Sequence, residues 1–341
     1  MSAQQEFHVV VGAGQVGLPL AQRLVARGRR VRIIKRGPPN ASIQGVEWAQ
    51  GDVTDRAFTD TAFRGAAVVY NCANPANFQW TELLLPLARS VREAAGRAGA
   101  RLVMLDSIFM YGRPCGGVLT EDHPHQPCSR KGELRALLAR ELFDAHSRGD
   151  VRATAGYAGD FYGPTASDQS PLLGRRFLKA LGLGRTMTVF GDPDVPHACA
   201  YIPDVAEGLA TLGENEKALG RAYHLPTSWN GSIRELMTKF ALAAGRPLRL
   251  RRTPKIALWL AGLTNAAIRE ALEMLYLWEV PCRLDDRRFV ETFGVRATPV
   301  EKSIRQTLFG GLRRPFIPGG EVAGAVVTHG PGGSHLPVGS P

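Results

Sequence analysis

Short apolar segments alternate with helical ones along the first half of the chain. FHVVVGAG, RVRIIKR, AAVVYNCA and ARLVMLDS have the continuous apolar character of buried strands. LPLAQRLVARG and ELLLPLARSVREAAGRAG carry apolar residues at helical spacing, and each closes on a glycine. Strand, helix and strand at this spacing predict right-handed βαβ units. We therefore expect an α/β fold with a doubly wound parallel sheet, followed by a smaller, mostly helical C-terminal part.

A glycine loop, VVVGAGQVG, follows the first predicted strand and opens the first helix. Gly12, Gly14 and Gly17 have the G-x-G-x-x-G spacing, which in this context is typical of Rossmann-type dinucleotide binding. The three glycines allow a tight turn, a close approach of backbone to pyrophosphate, and packing of helix on strand. Free N–H groups at the helix N-terminus favour the anion. We expect Gln15 and Val16, inside the loop, to contact the cofactor as well.

Two cations at the end of the second predicted strand decide which cofactor we expect. NAD-binding folds place an acidic residue there, and it accepts hydrogen bonds from the adenosine ribose. This chain has Lys35 and Arg36 instead, and both would attract a 2′-phosphate. We therefore predict that NADP(H) is favoured over NAD(H). The alternative is that both side chains only cap the strand in solvent.

Further segments, in order and spacing, resemble the extended short-chain dehydrogenase/reductase family, the NAD(P)-dependent epimerases and dehydratases. The resemblance runs from residue 7 to about 310. GDVTD resembles the segment that contacts adenine in that family, which implicates Asp52 and Val53. NCANP resembles the segment after the fourth strand and implies that Ala73 lies against the cofactor. DSIFMYG matches S-x-x-V-Y-G, so that Ser107 falls on the family's catalytic serine.

The second half of the chain extends the resemblance to the substrate-binding part. DFYGP resembles the family's N-V-Y-G-P, which implies that Asp160 and Tyr162 contact substrate. YIPDVAEGL and LDDRRFVETFG resemble two later segments of the family. The boundaries we expect are an NAD(P)-binding Rossmann domain over 1–155 and a substrate-binding region, interleaved with the last sheet strands, over 156–314. Residues 315–341 are rich in Gly and Pro, which is typical of a flexible tail.

The segment PCSRKGELR holds the first of two departures from the family that bear on the chemistry. A Y-x-x-x-K pair is implied here, but the two places hold Lys131 and Arg135, and no Tyr of the chain is followed four residues later by Lys. Ammonium and phenol have similar intrinsic pKa values, about 10.4 and about 10. We hypothesise that Lys131 is the general acid/base, that Arg135 tunes it electrostatically from one helical turn away, and that both contact the cofactor. The alternative is that both only anchor cofactor phosphate or face solvent.

The second departure is Asp160, which stands where the nucleotide-sugar enzymes carry an asparagine near the substrate's phosphates. A carboxylate there should repel a diphosphate. Four residues of the later apolar helix are candidates to line a pocket for a bulky apolar substrate: Trp259, Met274, Tyr276 and Trp278.

We predict an NAD(P)H-dependent oxidoreductase, a ketone/carbonyl reductase or dehydrogenase, acting on a bulky non-sugar substrate of specialised metabolism. Ser107 would hold the carbonyl group and Lys131 would supply the proton. The alternatives are an NADP(H)-binding sensor or regulatory protein without turnover, and a non-redox enzyme that keeps the cofactor structurally.

Composition changes this interpretation little. The chain has 341 residues, of which 44% are hydrophobic and 21% charged, as in an ordinary globular protein. The net charge is +11, but no nucleic-acid module is recognisable, so we expect a small-molecule substrate and no nucleic acid. The densest basic stretch, from Arg246 to Lys255, is typical of a solvated face. A homodimer is left open.

Neither a metal site nor a membrane span is expected. Five scattered cysteines argue against a disulfide framework, and EDHPHQPC offers no four-ligand set for zinc. The most apolar stretch, Ile256 to Ile268, has only 13 residues without a charge, too few to span a bilayer. No secretory signal precedes the first strand, so we expect a cytoplasmic protein.

Overall fold

A computed structural model of the chain describes residues 5–76, 79–114, 117–168 and 170–309. The predicted tail over 315–341 lies outside the described residues. In chain order, the strands are β1 (Phe7–Val11), β2 (Arg30–Lys35), β3 (Val46–Gln50), β4 (Val68–Asn71), β5 (Arg101–Asp106), β6 (Val118–Leu119), β7 (Arg152–Tyr157), β8 (Asp160–Tyr162), β9 (Met187–Val189), β10 (Cys199–Tyr201), β11 (Ala222–His224), β12 (Leu250–Arg252) and β13 (Arg283–Leu284).

Eleven α-helices connect and cover these strands in the described part of the chain. They are α1 (Gly17–Ala26), α2 (Arg56–Ala62), α3 (Trp80–Arg97), α4 (Arg130–Ser147), α5 (Arg175–Gly182), α6 (Ile202–Glu214), α7 (Ile233–Ala243), α8 (Lys255–Thr264), α9 (Ala266–Glu273), α10 (Arg287–Phe293) and α11 (Val300–Phe309). Within the residues described, no helix combines the length and the apolar character that crossing a membrane requires.

Seven strands form one sheet in the order β11-β7-β5-β4-β1-β2-β3, and every pairing in it is parallel. Alternate residues of β1 lie on opposite faces of the sheet. Val10 packs in one apolar core with α1 and α6, whereas Val9 and Val11 pack in another with α3 and α4. Helices therefore cover both faces, which confirms the doubly wound α/β fold. The chain reverses its winding between β1 and β4, and ligands bind at such a crevice, beside the carboxyl ends of the strands.

Local capping places the helices that border this crevice. Asp55 accepts hydrogen bonds from the backbone of Ala57 (2.9 Å) and Phe58, and so begins α2 directly after the GDVT turn. Ser129 accepts from the Gly132 amide at 3.0 Å and begins α4. A Cβ atom at Gly132 would lie 2.7 Å from the Phe109 carbonyl oxygen, so the missing side chain lets α4 approach the end of the sheet.

Candidate active site

The glycine loop closes tightly around its own backbone. Gly12 has a positive φ of 99°, and a Cβ atom there would lie 2.8 Å from the backbone of Ala73. A Cβ atom at Gly17 would lie 1.9 Å from the Gly12 carbonyl oxygen. At Gly14, by contrast, a Cβ atom would meet no atom within 4 Å. The loop thus leaves open space where a pyrophosphate is expected, and the residues fit a dinucleotide.

A cavity of about 750 Å³ runs from this loop across the carboxyl ends of the sheet strands. Gly17 is not among the residues that line the cavity, and its missing side chain allows the close approach of the Gly12 carbonyl oxygen. The other residues that the sequence assigns to the cofactor all line the cavity: Gly12, Gly14, Gln15, Val16, Lys35, Arg36, Asp52, Val53, Ala73, Lys131 and Arg135.

Two polar side chains at this end have contacts that the sequence did not indicate. The Gln15 amide oxygen accepts from the Ser167 amide at 3.0 Å and from the Ser170 hydroxyl at 3.1 Å, which ties the glycine loop to the segment after β8. Asp52 accepts from the backbone and hydroxyl of Thr54 at 2.9 and 2.7 Å. These hydrogen bonds lower the pKa of Asp52, so its carboxylate remains ionised beside the cavity.

Lys131 is buried at the start of α4 and lines the cavity together with the half-buried Ser107. Glu273, the last residue of α9, holds Lys131 twice. One carboxylate oxygen accepts from the Lys131 amide at 2.9 Å, and the other lies 3.2 Å from Nζ. The hydrogen bonds fix the lysine side chain, and Glu273 is a site residue that the sequence did not suggest.

Arg135 is paired independently of Lys131. Its guanidinium lies 3.0 Å from Asp106 Oδ1, donates to Asn74 Oδ1 at 2.8 Å, and stacks 4.2 Å from the centre of the Trp80 ring. Burial raises the pKa of Asp106, and the positive charge of Arg135 opposes that rise. Each of the two cations thus has its own carboxylate partner, and the tuning of Lys131 by Arg135 through like-charge repulsion remains a prediction.

Asp160 lines the far end of the cavity and is bound by two side chains. Its Oδ2 atom accepts from the Trp278 indole at 2.8 Å and lies 2.9 Å from His197 Nε2. Met274, Leu277 and Trp278 form an apolar wall beside it. His197 also lines the cavity, and its role could not be predicted from the sequence because a lone histidine in a loop carries no spacing signal.

Some residues singled out from the sequence lie outside this cavity. Tyr162 is fully buried in an apolar core, and its hydroxyl hydrogen-bonds Ser303 at 2.6 Å, so the structure does not bring it to the substrate end. Trp259 and Tyr276 are also absent from the cavity wall. His123 accepts a hydrogen bond from the Thr120 amide at 3.1 Å. Among the described residues, no cluster of His, Cys, Asp and Glu could hold a metal ion.

Comparisons with known proteins indicate the family. The family model of the NAD dependent epimerase/dehydratase family matches residues 8–225. The UDP-glucose 4-epimerase of Mycolicibacterium smegmatis is 29% identical over 164 residues, which are 46% of this chain and 50% of that protein. The decarboxylating sterol-4-alpha-carboxylate 3-dehydrogenase of Bos taurus is 25% identical over 235 residues, 64% of each chain. The chain thus matches about half to two thirds of the length of these relatives.

The fold agrees with solved structures. The UDP-glucose 4-epimerase of Thermotoga maritima, solved with UDP-glucose, superimposes with a TM-score of 0.72 at 15% identity. The superposition covers 88% of this chain and 97% of that structure. At this identity the likeness shows a shared fold.

Proposed function

Because the chain belongs to the NAD-dependent epimerase/dehydratase family, we propose that it is an NAD(P)H-dependent oxidoreductase that acts on a carbonyl or alcohol group of a bulky non-sugar substrate. The observation that carries the proposal is a single cavity. It joins the glycine loop to Ser107 and Lys131, and it continues to Asp160 and the apolar wall beside it. NADP(H) is the cofactor we propose, since Lys35 and Arg36 line the end where the adenosine ribose would lie.

The proposed chemistry divides two tasks between two side chains. A bound nicotinamide supplies or accepts the hydride. The Ser107 hydroxyl donates a hydrogen bond to the carbonyl oxygen, and the Lys131 ammonium gives that oxygen a proton as the alcohol forms. In the reverse direction, the lysine amine takes the proton back. Glu273 positions Lys131 through its amide and its ammonium group.

Arg135 has a positioning role in this proposal. It holds Asp106, whose Oδ1 atom also accepts from the Ser107 amide at 2.7 Å. The ion pair therefore fixes the backbone from which the serine projects.

Two features support a substrate other than a nucleotide sugar. Asp160 places a carboxylate on the cavity wall, where it would repel a diphosphate. Met274, Leu277 and Trp278 offer an apolar surface that suits a hydrophobic substrate, since such pockets bind largely through apolar contact.

Substitution of Lys131 tests the proposal. We expect the wild-type protein to oxidise NADPH when it is offered a panel of bulky aryl and alicyclic ketones. Lys131→Met should lower turnover by at least about a hundredfold, the usual contribution of a proton-transfer group, while NADPH affinity changes little. Arg130→Met is the matched control, because it removes the neighbouring exposed cation.

Two results would count against this assignment. Full turnover in Lys131→Met would show that another group or water transfers the proton. Tight NADPH binding without oxidation by any ketone of the panel would favour a sensor that binds the cofactor without turnover.

A further inference from the structure

Helix α8 has an apolar face that is open to solvent. Ile256, Trp259, Leu260 and Leu263 are between 54% and 65% exposed, and they are half of the strongly exposed large apolar residues in the described part of the chain. Their spacing of three and four residues places them on one side of the helix. A soluble surface rarely gathers so many large apolar side chains unless something covers them.

The opposite face of α8 holds the helix in place. Leu258 and Gly262 are buried there. A Cβ atom at Gly262 would lie 3.0 Å from a methyl group of Leu272 and 3.6 Å from the Arg269 backbone, so α8 packs closely on α9 through this glycine. The exposed face is therefore free of the contacts between α8 and α9, and its residues can be changed without disturbing them.

The sequence around this face is strongly basic. From Arg246 to Arg269 there is no Asp or Glu. The six basic residues of this stretch are all exposed, and they are Arg246, Arg249, Arg251, Arg252, Lys255 and Arg269. Among the residues described, the ion pairs of this stretch involve only Arg252 and Lys255, which lie near Asp192 and Glu279. The uncompensated charge matches an anionic partner.

We propose that the α8 surface, the four exposed apolar residues together with the six basic ones, docks on an anionic lipid membrane. Apolar side chains of an interfacial helix enter the boundary between headgroups and acyl chains, and nearby Arg and Lys side chains bind lipid phosphates. A membrane satisfies both features at once. A second copy of the chain would bring like charges together, and a nucleic acid would leave the apolar face in water.

This surface is connected to the cavity through the chain. α9, on which α8 packs, ends at Glu273, which binds Lys131, and the next residue, Met274, lines the cavity. Docking would thus act on the helix that directly precedes the apolar wall. The inference itself does not depend on the proposed reaction.

Vesicle sedimentation with the full-length protein tests the proposal. We expect at least tenfold more protein to sediment with vesicles that contain phosphatidylserine than with vesicles of phosphatidylcholine alone, and the difference should shrink at high salt. Trp259→Gln combined with Leu263→Gln should reduce binding at least tenfold, and so should Arg249→Gln combined with Arg251→Gln. Val118→Gln, which changes an exposed apolar residue on β6, should bind like the wild type.

Three outcomes would overturn the proposal. The first is no preference for anionic vesicles. The second is undiminished binding in the Trp259/Leu263 variant, with unchanged NADPH affinity as evidence that the variant is folded. The third is a dimer in light scattering that dissociates in that variant, which would assign the face to a second copy of the chain.

Discussion

The nucleotide end of the cavity is formed largely by backbone, whereas the substrate end is formed by side chains from distant parts of the chain. At the first end, Gly12, Gly14 and Gly17 act through the absence of side chains. At the second end, Lys131 depends on Glu273 and Asp160 depends on Trp278, and each pair is separated by more than a hundred residues. Substitutions at the substrate end are therefore expected to change the chemistry without disturbing the loop that is expected to bind the cofactor.

The largest expected effect on cofactor binding comes from breaking the backbone end. Gly17→Ala places a Cβ atom 1.9 Å from the Gly12 carbonyl oxygen, so the loop must move. We expect NADPH affinity to fall by at least about a hundredfold, or about 2.7 kcal/mol, in a fluorescence titration. Gly14→Ala is the matched control for folding, because its Cβ atom meets no protein atom and its melting temperature should equal that of the wild type. Wild-type affinity in Gly17→Ala would contradict the account.

At the other end of the cavity, the two cations should differ in their effect on stability. Arg135→Met leaves the buried Asp106 carboxylate without its ion partner and should lower the free energy of unfolding by about 3–5 kcal/mol in urea titrations. Lys131→Met should cost clearly less, because the Glu273 side chain is 25% exposed and water can solvate it. Equal losses of the free energy of unfolding in the two variants would show that the two ion pairs do not differ in their contribution to stability.

The destabilisation by Arg135→Met should also depend on pH. Burial raises the pKa of Asp106, and removing the guanidinium raises it further. A carboxyl group whose pKa is higher in the folded than in the unfolded state favours folding below the unfolded value, and that stability is lost as pH rises through the folded value. The variant should therefore lose less stability near pH 4 than near pH 7. A loss that is the same at both pH values would mean that Asp106 does not stay charged beside Arg135.

Cofactor preference is expected to show a smaller effect. NADP(H) should bind at least about tenfold more tightly than NAD(H), since one charge-assisted contact contributes about 1.4 kcal/mol. Replacing Lys35 and Arg36 by alanine should remove the preference and leave NAD(H) affinity within about twofold. Equal affinities of the wild-type protein for the two cofactors would refute the predicted preference for NADP(H).

The same contrast explains what could be predicted from the sequence. The glycine loop could be located because its requirements lie within a few residues, and the apolar segments marked the buried strands. Strand β3 was less evident, because it lies at the edge of the sheet and none of its residues is fully buried. The residues 131 and 273 are 142 positions apart, and no periodicity indicates that they meet.

Of the residues that the family resemblance assigned to the site, Ser107 lines the cavity and Tyr162 does not, for the same physical reason. Ser107 lies at the end of a sheet strand, so its position follows from the strand pattern. The expected substrate contact of Tyr162 rests on the short motif DFYGP alone. The hydrogen bond of its hydroxyl to Ser303 depends on a helix that begins far along the chain. The roles of Asp160 and Lys131 remain predictions that substitution can test.

Thermal denaturation of the wild-type protein with NADPH and, separately, with UDP-glucose tests the central claim most directly. We expect a clear rise of the melting temperature with micromolar NADPH, because the glycine loop and its flanking cations are intact. We expect no rise with micromolar UDP-glucose in the presence or absence of NADPH, because Asp160 repels the diphosphate and the wall beside it is apolar. Stabilisation by UDP-glucose would contradict the claim that the substrate end has been rebuilt for a non-sugar substrate.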